Sequence, residues 1–422
     1  MRLPKLTPDL APLRDSRDFR LVVIGSFLSG LGAQATLVAL PYQVYVQTRS
    51  PLLVGLLGAV ELVPLIAAAL LGGAVADRFD RRWLLLLGQV GLALTAAGLA
   101  AAAIGHPPIG VLYALAAVLA AFVSFESVVV FAIVPNLVDR RQLRAALALE
   151  YGLGTLTMVA GPALGGLVIS ALGLTWAYAI DAISCAAMVL AVLPIAAQPP
   201  HGVPPHERLR ASIVEGLRYV RGNQALLGSF AIDLVAMVFG MPRALFAVLS
   251  VSVYHTGATG TGALYSATAA GATVAAMTTG WLPQARRLGL IVIWAVVVWG
   301  TTIAFAGLAH TLWLAALLFA MAGAADSVSA VCRTAINQTV TPERMRGRMS
   351  AVYSLVVTGG PRIGDIESGA VAGATSARFS VVSGGVLCVI GVAAIVVAFP
   401  ALVRYDAEDW VGGGVRYAEE VR

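Results

Sequence analysis

Gly73 to Arg82 reads GAVADRFDRR and joins two long apolar runs. It packs Asp77, Arg78, Asp80, Arg81 and Arg82 into one short turn. No comparable concentration of charge lies in the apolar stretches on either side. A turn this short and charged, between runs this apolar, belongs at a membrane surface. Short loops rich in arginine or lysine are retained in the cytoplasm, so the turn marks the inner face.

Composition extends that reading to the whole chain. Of 422 residues, 59% are hydrophobic and 12% charged, where a soluble domain carries about 25% charged residues. The class is an all-α polytopic membrane protein. A helical span needs roughly 20 residues, which leaves room for about twelve. The formal charge of +6 comes from arginines spread over short loops, so no nucleic acid is expected as a partner. Lys5 is the only lysine, which excludes a phosphate-binding loop and with it an ATPase domain in this chain. Cys185, Cys332 and Cys388 fall inside apolar runs, against a disulfide framework. The histidines do not cluster at ligand spacing and no nucleophile motif stands out. Neither a metal site, a cofactor nor an enzyme activity is expected.

Loop charges set the topology. Arg14, Arg17 and Arg20 hold residues 1–18 inside as a cytoplasmic tail, with no cleavable apolar core. A first six-helix bundle is expected over 19–197. Residues 198–223 form a cytoplasmic linker in which Leu209, Ile213, Leu217 and Val220 repeat at helical spacing opposite Arg208, Arg218 and Arg221, a basic amphipathic helix on the inner face. A second six-helix bundle follows over 224–403, and 404–422 is a cytoplasmic tail. Its spans are expected at about 224–254, 261–282, 288–309, 311–339, 349–375 and 379–403. Inner loops carry Arg140, Arg141, Arg144, Arg286, Arg287, Arg344, Arg346 and Arg348; outer loops carry little beyond Arg49 and Arg378. Both termini are therefore expected inside.

The halves repeat one another. DRRQLR from Asp139 answers ERMRGR from Glu343, and GPALGG from Gly161 answers GPRIGD from Gly360. Such repeats are the architecture of many secondary transporters, with the path at their interface.

On these residues the chain resembles the major facilitator superfamily over its full length. Gly73, Asp77, Arg78, Arg81 and Arg82 match that family's signature between its second and third helices. Asp80 stands where the second glycine is usual. Gly161, Pro162, Gly165 and Gly166 look like the core of the antiporter motif of helix five. The arginine expected in helix four for proton coupling is absent. EGLRYVRGN, TPERMRGRMSAVYSL and GGPRIGDIESG resemble the exporter branch that includes the enterobactin exporter and macrolide-efflux proteins. The resemblance implies that Asp77 and the arginines latch the inner face as a cytoplasmic gate, and that spans one, four, seven and ten line the cavity.

An ionisable residue at mid-membrane is costly and is a functional hypothesis by default. On the cavity-lining set, the candidates for the substrate path are Gln34, Gln43, Glu126, Asp233, Arg243, Asp326 and Arg333. Asp326 is the first candidate for a proton site, because a carboxylate held away from water favours its neutral form; an ion pair with Arg333 or Arg362 is the competing reading. Glu126, Asp365 and Glu61 follow. Arg362 and Asp365 can pair on one helical face, and within Gly360, Pro361, Arg362, Gly364 and Asp365 their expected work is to serve backbone groups freed by a break at GGP. Asp181 and Asp233 are expected nearer span ends, snorkelling or pairing locally. Gly161, Pro162, Gly165 and Gly166 are expected to pack helices closely and limit leak.

Taken together, these features lead us to expect a bacterial cytoplasmic (inner) membrane exporter of a small organic molecule, a siderophore or an amphipathic drug such as a macrolide. It would work as a monomer in the bilayer by alternating access, with the proton gradient as energy source. An importer of a small metabolite and a non-transporting sensor or scaffold are the alternatives.

Overall fold

The computed structural model describes residues 9–76, 78–199 and 209–406. Every regular element among them is helical. That follows from the solvent: in lipid each backbone N–H and C=O must be satisfied within its own segment or by buried protein. Asp77 of the charged turn, residues 1–8, 200–208 and 407–422 lie outside the described residues.

The residues pack into two compact units. The first comprises 9–53, 59–199 and 250–266, and the second 54–58, 209–249 and 267–406. Helices α1 (Arg17–Thr48), α2 (Pro51–Ala76), α3 (Arg81–Ile104), α4 (Ile109–Leu137), α5 (Leu143–Leu172) and α6 (Leu174–Val192) follow in order. Next come α7 (Leu209–Gly222), α8 (Gln224–Phe239), α9 (Leu245–Ser252) and α10 (Gly257–Thr278). The chain continues through α11 (Leu288–Leu308), α12 (Leu312–Val340), α13 (Arg346–Ala374) and α14 (Ala377–Ala398). Nine of these, α1 to α6, α11, α12 and α14, are long and apolar enough to cross a membrane. The other expected crossings are helical but fall short of that measure: α8 with α9 is broken, α10 is rich in glycine, alanine and threonine, and α13 carries several charges.

Several sequence expectations need correction. The stretch 224–254 is not one continuous helix; helix stops at Phe239 and resumes at Leu245. Helix α13 runs unbroken through GGP, with Pro361 inside it, so the expected break falls in a different element. The segment at 261–282 is helical from Gly257, and its last turn is a 3-10 helix, Thr279–Gln284. The expected tail contains a short helix, Ala11–Asp15, and α1 starts at Arg17, where the Ser16 hydroxyl accepts from Phe19 N–H at 3.1 Å as an N-cap. The sixth span ends at Val192 rather than near 197.

In the first unit an apolar core of Phe19, Val22, Leu85, Val129, Ile133 and Met188 joins α1, α3, α4 and α6. In the second, the Phe246 and Phe319 rings meet edge to face at 4.8 Å. The amphipathic α7 belongs to the second unit: its Tyr219 hydroxyl donates to the Val340 carbonyl at 2.9 Å, and Glu215 pairs with Arg348.

Candidate functional site

The charged turn first shows why Asp80 replaces a glycine. Asp80 is the N-cap of α3, its carboxylate accepting from Arg82 N–H and from Gln198 N–H, both at 2.9 Å. Two of the arginines reach the ends of neighbouring helices. Arg81 donates to the Ala132 carbonyl of α4 at 3.0 Å, and Arg82 donates to the Leu193 carbonyl just past α6. Arg78 is exposed. Gly73 lies in the last turns of α2, and Asp77 is outside the described residues, so the motif's arginines are placed and its key aspartate is not.

The helix-five motif lets backbones touch. A side chain at Gly165 would meet Ala35 Cα of α1 at 2.6 Å, and one at Gly161 would meet Gln34 Cβ at 2.6 Å. Gln34 is thereby a packing partner of α5, half-buried. Gly166 faces the Ala258 carbonyl of α10, at 2.5 Å from a built Cβ, and Ala163 N–H, next to Pro162, donates to Ser266 at 2.9 Å. In the second unit, Gly360 and Gly364 of α13 play the equivalent part against Met237 of α8.

Two buried polar systems stand out, one in each unit. The second unit holds the charged one. Arg333 of α12 is 3% exposed and lies 2.8 Å from Asp233 of α8, which is 1% exposed. The contact is close but poorly angled, and neither Asp233 oxygen accepts an aligned hydrogen bond. Arg333 also lies 3.7 Å from Asp326, whose side chain is 29% exposed. The ion-pair reading of Asp326 thus has direct geometry, and Asp326 is the partly open member. Asp233 neither snorkels nor sits at a helix end.

The break between α8 and α9 completes this cluster. The Gly240 carbonyl accepts from the Trp299 indole at 2.8 Å. Asp365 of α13 accepts from Ala244 N–H at 3.0 Å, just ahead of α9. A carboxylate there satisfies an unbonded helix-start N–H and meets the positive end of the helix dipole. Asp365 thus accepts from backbone at this break, and no break exists at GGP. Arg362 lies 3.7 Å from Asp365, and Arg243, exposed within the break, is within electrostatic reach of both Asp326 and Asp365. Asp233, Asp326 and Asp365 face Arg243, Arg333 and Arg362, and the charges balance.

The first unit holds a system of two carboxylates linked by neutral side chains. Thr36 of α1 donates to Asp181 of α6 at 2.5 Å. Cys185 Sγ lies 3.6 Å from Asp181 and 3.5 Å from Ser29 Oγ of α1. The Ser29 hydroxyl donates to Gln89 Oε1 of α3 at 3.3 Å, and Gln89 Nε2 donates to Glu126 of α4. Asp181 is 3% exposed and lies inside α6, correcting the placement near a span end. Gln43 is buried and accepts from the Tyr178 hydroxyl at 2.7 Å, while its own Nε2 has no partner. Glu61 is buried in α2. Sequence reasoning named Glu126 but missed Thr36, Ser29, Gln89 and Cys185. The one signal on offer was a lone glutamine within the apolar α3.

Among the described residues, no group of histidine, cysteine and acidic side chains could hold a metal ion.

The transmembrane secretion effector family model matches residues 7–414. An enterobactin exporter of Salmonella typhimurium is 29% identical over 397 residues, covering 92% of this chain and 94% of that protein. The enterobactin exporter of Citrobacter koseri is 28% identical over 363 residues, covering 84% and 85%. Among solved structures, that of a mutant of the nucleoside transporter NupG matches with a TM-score of 0.75 at 15% identity, covering 90% of this chain and all of that one. A bacterial homolog of the human lysosomal transporter Spinster, solved inward-facing and unoccupied, gives a TM-score of 0.70 at 15% identity over 92% of this chain and 97% of that one. At these identities the structural likeness speaks for the fold.

Proposed function

The chain belongs to the transmembrane secretion effector family, with the major facilitator fold, and on that premise we propose that it exports a siderophore-like small organic molecule across a bacterial cytoplasmic membrane. It is a multi-pass membrane transporter and not an enzyme. The observation that carries the export reading is end-to-end similarity to enterobactin exporters, over 92% of the chain. Both termini lie inside in this reading, supported by the arginines of the inner loops.

The buried charge supports a substrate path. Asp326 and Arg362, each partly open, and the exposed Arg243 present charge to a polar molecule, while Asp233 and Arg333 anchor them from within. The broken α8–α9 segment puts an unwound backbone beside these charges, as in transporters whose half-helices flank the bound solute. Energy comes from inward proton flow during an alternating-access cycle, for which the buried carboxylates are the support.

The test is accumulation of labelled enterobactin in everted membrane vesicles acidified inside, with an erythromycin arm. Uptake above vesicles lacking the protein, collapsing with the gradient, is the expected result. Gradient-independent uptake removes the antiport; erythromycin uptake alone moves the substrate class to macrolides; no uptake of either overturns the exporter reading.

A further inference from the structure

The two polar systems differ in one respect that decides which of them carries a proton. In the second unit each carboxylate has a guanidinium within reach, so all three aspartates can stay ionised without a proton. In the first unit the ionisable groups within reach of Glu126 and Asp181 are each other and Cys185, with no arginine or lysine among them in the described residues. The intervening side chains Thr36, Ser29, Gln89 and Cys185 are all buried. Two carboxylates in such surroundings cannot both stay charged; one must be neutral.

We propose that Glu126 and Asp181 hold one transported proton between them, and that the Gln89 amide sets which of the two is neutral. This rests on the proton-coupled reading above and assigns its proton-carrying pair. The geometry gives the switch. As placed, Gln89 donates to Glu126 and accepts from Ser29, which suits an ionised Glu126. A protonated Glu126 has an O–H to give, and the reversed amide receives it, Oε1 toward the acid and Nε2 toward Ser29. Ser29 then turns its hydroxyl to Cys185 Sγ, 3.5 Å away, whose S–H already donates to Asp181. A Cys185 thiol that accepts from Ser29 is polarised into a better donor to Asp181, beside Thr36, so protonation of Glu126 favours the charge on Asp181. The chemistry is one O–H bond made with a proton from the outer water and the same bond broken to the inner water, with no electrons transferred.

Packing holds the parts in register. A side chain at Gly32 of α1 would meet the Asp181 backbone at 2.8 Å, so only glycine lets α6 close enough for Thr36 to reach the carboxylate.

The experiment has two arms on the full chain reconstituted in lipid. Infrared spectroscopy at neutral pH reads the C=O stretch of a protonated carboxylic acid. The band is expected in the wild type, lost in the Glu126→Gln/Asp181→Asn double variant, shifted in Gln89→Leu and unchanged in Asp326→Asn. A band that survives the double variant, or that disappears with Asp326→Asn, overturns the proposal. The second arm compares gradient-driven uptake with equilibrium exchange of enterobactin in proteoliposomes. Each single amide variant should lose the first and keep the second, since an amide imitates the permanently neutral acid and a merely structural lesion would lower both. Retained gradient-driven uptake in both variants overturns the proposal. A wild type that exchanges no enterobactin but shows the infrared pattern leaves the proton pair standing and refutes the substrate instead.

Discussion

Arg333 shows how much rests on one side chain. It is 3% exposed and faces both Asp233 and Asp326. Removing one partner of a buried ion pair leaves the other charge uncompensated, at a cost of about 3–5 kcal/mol. Arg333→Leu should therefore lower the thermal stability of the purified protein sharply, and adding Asp233→Leu should recover much of the loss, because two well-packed apolar residues often replace a buried pair neutrally. A double variant no more stable than the single one would show that the pair is not the unit of stability. Asp80 gives a milder case. Loss of an N-cap costs about 1 kcal/mol on replacement by alanine and a few tenths by glycine. Asp80→Ala should melt below Asp80→Gly, and the reverse order would mean that the cap is not what keeps an aspartate at this place in the motif.

At the scale of elements, glycine placement decides which helices touch. Gly165→Leu puts a branched side chain where Ala35 Cα is already 2.6 Å from a built Cβ. Overpacking of this kind costs about 1–3 kcal/mol or more, and the variant should lose both thermal stability and transport, read by melting and by vesicle uptake. Normal melting would mean that α1 and α5 can separate without penalty. The helices themselves were legible in the sequence because apolar runs of spanning length have one stable form in lipid. The break between α8 and α9 was not. Pro242 was visible, but proline inside a membrane helix is tolerated, and α1, α2, α4, α5 and α13 each contain one. What stabilises the break is Asp365, 121 residues away from Ala244, and no local pattern announces such a partner. The hydrogen-bonded chain in the first unit was hidden for a related reason. Ser29, Thr36 and Gln89 are single polar residues in apolar runs, where packing and function look alike, and only the fold brings them into line.

For the whole molecule, the sequence already contained the helix at Leu209–Gly222 and the turn before α3, whereas the compact units exchange 54–58 and 250–266 relative to the expected bundles. Which carboxylates have counter-charges is a property of the folded units alone. The first unit keeps two carboxylates joined by neutral side chains; the second sets Asp233, Asp326 and Asp365 against arginines. This neutrality has an electrical consequence. A transmembrane voltage does work only on net charge moved through its field, about 2.3 kcal/mol per elementary charge per 100 mV. Asp233, Asp326, Asp365, Arg243, Arg333 and Arg362 sum to zero formal charge and can rearrange together without moving net charge. With the proton pair as proposed, the current of a turnover is written by the cargo and by the occupancy of Glu126 and Asp181, and the reversal potential of the transporter becomes a direct count of the charges it exchanges.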